Sequence, residues 1–268
     1  MTYQMIVTDL DGTLLNSRSA LSQKTIHTIE RLKKENKIIV IASGRTYAEI
    51  VRLTKPLDLL SYNKAYFICY NGVLTVKTHP FTVLMKITLK KEDIKQIIYS
   101  LKDQQIKYHI FGENRLFLSN DIKYTLEDHQ PKEVEIKKIN VDEYDQEDDI
   151  YKLLIYDEKT KLDHVKTNIP DFISSNYSVV KSSDQLLEIF HKEGSKGHAL
   201  IYLSNLLSIP QEEIIAFGDE ENDISMIEFA GLGVAVSNAK KEVISAAKVT
   251  TLSNVFDGVA IAIDKYVK

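Results

Sequence analysis

The chain has 268 residues, room for about two domains at roughly 150 residues each and too many for a scaffold that depends on disulfide or metal staples. Apolar residues make up 44% of it and charged residues 27%, which supports a buried core and excludes wholesale disorder. Lys and Arg number 34 against 38 Asp and Glu, a formal net charge of -4, so there is no global field to grip nucleic acid or an anionic membrane.

From the N-terminus, Gln4-Met5-Ile6-Val7 reads as a short buried strand, and Ser22 opens an amphipathic helix with Ile26, Ile29 and Leu32 on its apolar side. Ile38–Ala42 is a β-branched run, and a second helical pattern follows through Tyr47, Ile50 and Leu53. Runs apolar at every position suit strands covered on both faces. The alternation of strand and helix predicts an α/β fold with a doubly wound, Rossmann-like parallel sheet. A third apolar strand, Ala65–Cys69, holds the single cysteine, Cys69. It has no partner for an internal disulfide, which suits a reducing, cytoplasmic setting. No apolar run approaches about 18 residues, and Asp9 and Asp11 interrupt the N-terminus before a signal-like segment forms, so neither a membrane span nor export is expected.

Over residues 81–189 the texture changes. Alternating strands at 83–89 and 107–111 mix with a helix at 92–101 and a charged segment at 141–149, whose acidic part reads as a mobile surface loop. The first texture then returns, with helices at 196–207, 223–230, 241–247 and 255–267 and strands at 214–217 and 232–236. The expected organisation is a core of residues 1–80 and 190–268 interrupted by an α+β insert, 81–189, large enough to be a domain that closes as a lid and sets specificity. Within it Tyr124, His109 and Arg115 are candidate substrate contacts, with core or surface roles favoured for each.

The first strand runs into Thr8-Asp9-Leu10-Asp11-Gly12-Thr13-Leu14. Carboxylates two apart on an extended segment point to one side. Such a pair calls for a hard, oxygen-preferring cation such as Mg2+, although an isolated Asp-x-Asp-Gly is as often a solvated turn. The second strand ends in Ser43-Gly44-Arg45, an anion-holding turn or a plain helix N-cap at Ser43. Gly218-Asp219-Glu220-Glu221-Asn222-Asp223 closes another strand with four acids in five positions. An EF-hand reading fails because Ile224 stands where glycine is required and Ala230 where the bidentate Glu belongs, leaving a metal loop or an acidic turn. Lys196, opening a helix, is either a phosphate-binding cation or a solvated lysine. P-loop and dinucleotide spacings are both missing. These loops share one position, the carboxyl ends of strands, where open α/β sheets bind ligands.

Taken together, these residues resemble the haloacid dehalogenase superfamily phosphatases, in the Cof-type branch with a large cap between the second and third motifs. Asp9 to Leu14 matches the first motif, Ser43-Gly44-Arg45 the second, Lys196-Gly197 the third, and Gly218-Asp219-x-x-Asn222-Asp223 the fourth. Asn71-Gly72 also resembles a dipeptide common in the branch, while His191-Lys192-Glu193 departs from the Pro-containing turn many relatives carry. The resemblance implies a Mg2+-dependent phosphatase acting on small phosphorylated metabolites such as sugar phosphates, pyridoxal phosphate or flavin mononucleotide. Asp9 would be the nucleophile that forms an aspartyl phosphate, and Asp11 the acid and base. Asp9, Asp219 and the Asp11 carbonyl would hold the metal. Ser43, the Leu10 and Gly44 amides, Lys196 and Asn222 would fix the phosphoryl oxygens, and Asp223 would orient Lys196 or a metal-bound water. A sugar phosphomutase and a phosphate-accepting sensor domain are the alternatives, the second disfavoured by the chain's length and insert. Neither nucleic acid nor membrane is an expected partner, and oligomeric state leaves no mark in the sequence.

Overall fold

The computed structural model describes residues 3–113, 115–119, 135–145 and 149–268. They divide into two compact units, one formed by Met1–Lys86 with Ser195–Lys268 and the other by Ile87–Gly194. In chain order the first unit begins with β1 (Met5–Thr8), α1 (Gln23–Lys34), β2 (Ile38–Ala42), α2 (Tyr47–Thr54), β3 (Ala65–Cys69), β4 (Leu74–Lys77) and β5 (Thr82–Lys86). The second unit comprises α3 (Lys91–Ser100), β6 (Lys107–Gly112), β7 (Arg115–Ser119), β8 (Glu135–Ile139), β9 (Ile150–Tyr156), α4 (Lys159–Thr167), α5 (Asp171–Asn176), β10 (Tyr177–Ser183) and β11 (Leu186–His191). The first resumes with α6 (Lys196–Leu207), β12 (Ile214–Gly218), α7 (Ile224–Phe229), β13 (Leu232–Val236), α8 (Lys241–Ala246), β14 (Val249–Thr251) and α9 (Gly258–Tyr266).

The first unit is built on an eight-stranded sheet in the order β14-β13-β12-β1-β2-β3-β4-β5. The strands from β14 to β3 are parallel, while β4 and β5 add an antiparallel edge. Met5, Val7, Val40, Ala42 and Ile68 pack on one face against Leu200 and Leu203 of α6 and Met226 of α7. Ile6, Ile39, Ile41 and Phe67 alternate with them and are equally inaccessible, so both faces are covered, as all-apolar strands require. Chain order reverses beside β1: β2 and β3 extend the sheet one way, and β12, β13 and β14 the other. That reversal is a topological switch point, and the loops leaving the carboxyl ends of β1, β2 and β12 emerge side by side there.

The second unit has a sheet in the order β10-β11-β9-β6-β7-β8, antiparallel except for the β7–β8 pair. Ile94 and Ile97 of α3, Leu162 and Val165 of α4 and Ile173 of α5 cover one face, over Ile110, Phe117, Leu153, Ile155 and Ile189. It is an α+β unit. His109 is buried beside Phe111 and Tyr156, and Arg115 pairs with Glu135 at 3.0 Å; Tyr124 lies outside the described residues. Of the acidic segment expected as a mobile surface loop, residues 146–148 lie outside the described residues; in the described part Val141–Glu143 forms a 3-10 turn whose acids are exposed, and Tyr144 is fully buried with its ring edge-on to Phe117 at 5.2 Å. Strand β5, which the sequence assigns to the insert, pairs with β4 in the large sheet. Among the described residues no helix is long and apolar enough to cross a membrane.

Candidate active site

Asp9 is the first residue beyond β1. Its amide donates to the Phe217 carbonyl of β12 at 3.0 Å, which fixes the backbone at the sheet's centre, and the residue is only 6% exposed. The chain then turns tightly through Leu10–Leu14, with Gly12 at φ 77°. A Cβ at Gly12 would fall 2.2 Å from Asp219 Oδ2, so glycine is needed for both the backbone and the close approach. The turn separates the two carboxylates that an extended segment would have placed together. Asp9 Oδ1 accepts from Lys196 Nζ at 2.6 Å, whereas Asp11 is gripped by Arg45, Nε to Oδ2 at 2.6 Å and Nη2 to Oδ1 at 2.9 Å.

Lys196 is the first residue of α6, capped by the Ser195 hydroxyl, which accepts from the His198 amide at 3.0 Å. The solvated-lysine reading does not hold, because the side chain is 1% exposed and Nζ also donates to Asp223 Oδ1 at 2.6 Å. Burial alone would push the ammonium's pKa down. The charges and hydrogen bonds of Asp223 and Asp9 together outweigh it and hold Lys196 protonated, above the ordinary lysine range. Asp223 is itself pinned, its Oδ2 accepting from the Asp219 and Glu220 amides at 2.9 and 3.1 Å.

Asp219 follows β12 and is 7% exposed, so the loop is no solvated acidic turn at this position. Thr13 donates to its Oδ1 at 2.6 Å. Burial raises its carboxyl to about 7, and the Asp223 and Glu220 charges add to the rise against the Thr13 hydrogen bond and Lys196. Burial raises Asp9 as well, opposed by Lys196 and reinforced by Asp223 and Asp219. Glu220 and Glu221, by contrast, are surface partners of Lys240.

Asp9, Asp219 and Asp223 each offer a carboxylate oxygen within 4.8 Å of the other two. Three buried carboxylates against one ammonium leave an excess of negative charge, and acceptor-only oxygens of this kind suit a hard divalent cation. Asp9 spends Oδ1 on Lys196 and Asp219 spends Oδ1 on Thr13, so each keeps Oδ2 for a cation. The donor set therefore fits Mg2+.

Ser43 is buried at the end of β2, and Thr46 rather than Ser43 caps α2, in a reciprocal box with Glu49. The Ser43 hydroxyl instead accepts from the Arg45 amide at 3.2 Å. Asn222 donates Nδ2 to Asn71 Oδ1 at 2.9 Å. The structure thus brings Asp9, Lys196, Asp219 and Asp223 into direct contact or near contact, with Ser43 and Asn222 on neighbouring strand-end loops. Motif reading alone missed the partners: Thr13 on Asp219, Arg45 on Asp11, and Glu49, which holds Arg45 Nη1 at 3.0 Å. Thr13 and Arg45 were visible inside their motifs, but nothing local marked what they touch.

The family model for haloacid dehalogenase-like hydrolases matches residues 6–263. A Bacillus subtilis (strain 168) protein described as "Putative phosphatase YxeH" is 34% identical over 267 residues, covering 99% of this chain and 98% of its own length. From the same organism, 5-amino-6-(5-phospho-D-ribitylamino)uracil phosphatase YitU is 28% identical over 277 residues, with 98% and 97% covered. Among solved structures, a haloacid dehalogenase-like hydrolase from Bacteroides thetaiotaomicron matches with a TM-score of 0.86 and 28% identity, covering 98% of this chain and 99% of that one.

Proposed function

The chain belongs to the haloacid dehalogenase-like hydrolase family and is a phosphatase, and from that premise we propose that it hydrolyses small phosphorylated metabolites, with Mg2+, through a phosphoryl group carried on Asp9. The observation that carries this reading is the buried Asp9 at the sheet's switch point, flanked by Lys196 and Asp219, with Asp11 two residues on and held apart.

An Asp9 oxygen attacks phosphorus, and the P–O bond to the alcohol breaks as the new one forms. Asp11 gives its proton to the departing oxygen. In the second step Asp11, now a carboxylate, takes a proton from the water that cleaves the acyl phosphate and restores Asp9. Arg45 holds the Asp11 carboxylate in place through two hydrogen bonds, so the group that serves as acid and base is fixed in position. Ser43, the Leu10 and Gly44 amides, Lys196 and Asn222 hold the phosphoryl oxygens, and Asp223 keeps Lys196 aimed at Asp9. Asp9 and Asp219, with the Asp11 carbonyl, would hold Mg2+, which when bound supplies positive charge against the phosphoryl oxygens and between the carboxylates.

We assign the choice of substrate to the second unit, Ile87–Gly194, acting as a cap. Sugar phosphates, pyridoxal phosphate and flavin mononucleotide are the classes to test, and the name of the relative YitU adds a phosphorylated ribitylaminouracil. The buried lone Cys69 fits a reducing, cytoplasmic setting. The test is release of inorganic phosphate from an aryl phosphate with and without Mg2+. EDTA and Asp9→Asn should each abolish it, and Asp219→Ala should raise the Mg2+ needed. Turnover by folded Asp9→Asn at the wild-type rate would sink the mechanism.

A further inference from the structure

The turn that follows β3, Tyr70-Asn71-Gly72, touches two of the strand-end loops and the start of α6. The Tyr70 amide donates to the Arg45 carbonyl and the Asn71 amide to the Ser43 carbonyl, both at 3.0 Å. Gly72, at φ 101°, lies so close to the start of α6 that a Cβ there would meet the Ser195 carbonyl oxygen at 2.2 Å. Asn71 stands in the middle at φ 58°, ψ 27°, in the left-handed region that asparagine tolerates better than most residues. It is 3% exposed. Its Oδ1 accepts from Asn222 Nδ2 at 2.9 Å and lies 3.0 Å from where a Gly44 Cβ would be.

We propose that Asn71 is a positioning residue for phosphate binding, acting through the Asn222 amide and the Ser43–Gly44 backbone. The proposal rests on reading this crevice as a phosphoryl site. The Asn222 amide is anchored by Asn71 through one of its two Nδ2 hydrogens, which leaves the other as the donor from which a phosphoryl oxygen can accept. An amide held in this way offers its remaining hydrogen-bonding capacity already oriented. A free one pays rotamer entropy each time it binds an anion. Because Asn71 also ties down the Ser43 carbonyl, one residue sets the spacing between anion-binding groups on β2 and β12 that lie far apart in sequence.

Glycine accepts the same left-handed backbone, so Asn71→Gly removes the side chain alone. Asn71→Asp keeps both the backbone and an oxygen acceptor opposite Asn222. With an aryl phosphate as substrate and inorganic phosphate as competitive inhibitor, Asn71→Gly should raise KM and the phosphate inhibition constant about three- to tenfold, the worth of one ordinary hydrogen bond. The value of kcat should stay within about twofold, since the side chain touches no reacting atom. In the Asn71→Gly background, Asn222→Ala should then cost little more. In the Asn71→Asp background it should cost nearly its full factor, whatever offset the added charge brings. A wild-type inhibition constant in Asn71→Gly, or a full Asn222→Ala factor in that background, would overturn the proposal while leaving the phosphatase reading intact. Should Asn71→Gly not fold, loss of the Asn222→Ala factor in the Asn71→Asp background overturns it and retention supports it. A wild-type enzyme indifferent to both ester and phosphate would remove the site reading, and the proposal with it.

Discussion

Asp219 links metal, pH and stability in a way that can be measured. With no divalent cation bound, burial and the nearby acids raise its carboxyl from 3.8 to about 7. The folded protein then holds this proton more tightly than the unfolded chain, so the stability it contributes is complete below about pH 4 and is lost as pH rises through about 7. Each tenfold change in proton affinity is worth about 1.4 kcal/mol, which puts the full loss near 4 kcal/mol and, after discounting for solvent screening, near 2 kcal/mol. At roughly 2–4 °C per kcal/mol, the melting temperature in EDTA should fall about 4–8 °C further between pH 4 and pH 8.5 for the wild type than for Asp219→Asn. Added MgCl2 should close that gap, because a cation between the carboxylates replaces the proton. Differential scanning calorimetry at matched ionic strength reads the difference directly. Parallel pH curves for wild type and Asp219→Asn in EDTA would refute the reasoning, as would an unaltered gap in saturating Mg2+.

Three further perturbations test the same site. Lys196→Met strands Asp9 and Asp223 in a buried environment, and removing one partner of a buried ion pair costs about 3–5 kcal/mol; thermal denaturation in EDTA should show a fall of at least several degrees, and an unchanged midpoint would contradict the ion-pair account. Gly12→Ala drives a methyl to within 2.2 Å of Asp219 Oδ2 on a left-handed backbone, so the Mg2+ needed for half-maximal activity should rise on the order of tenfold or more, and a superimposable metal titration would count against Asp219 as a ligand. Arg45→Gln releases Asp11 from its bidentate partner, and loss of alignment at a reacting group should lower kcat about tenfold to a hundredfold; steady-state kinetics with wild-type kcat would show that Arg45 does not hold a working residue.

The sheet's centre was legible because its chemistry is local. Ile38–Ala42 can only be a strand covered on both faces, and the residue after such a strand necessarily sits at a carboxyl end. That placed Asp9, Ser43 and Asp219 around one crevice before any partner was known. The sheet's edges were less legible: Val249–Thr251 is three residues long and only partly buried, and Leu74–Lys77 owes its strand state to antiparallel pairing with β3 and β5, which no periodicity of its own announces. The side-chain partners were hidden for a different reason. Lys196 reaches Asp9 across 187 positions and Thr13 reaches Asp219 across 206, and only the sheet's register brings them together. The turn at Gly12 also broke the extended geometry that would have paired Asp9 with Asp11. Tyr144 is fully buried among exposed acids because an aromatic ring gains from burial what a carboxylate would lose.

The most direct test of the phosphoryl-carrying role of Asp9 is an acid-quenched single turnover with a radiolabelled phosphate ester and Mg2+, followed by peptide mapping. The label should be recovered on the peptide containing Asp9, should decay at the rate at which phosphate appears, and should be missing from Asp9→Asn. Phosphate release at the full rate with no labelled peptide in the wild type, or with the label on another residue, would contradict it.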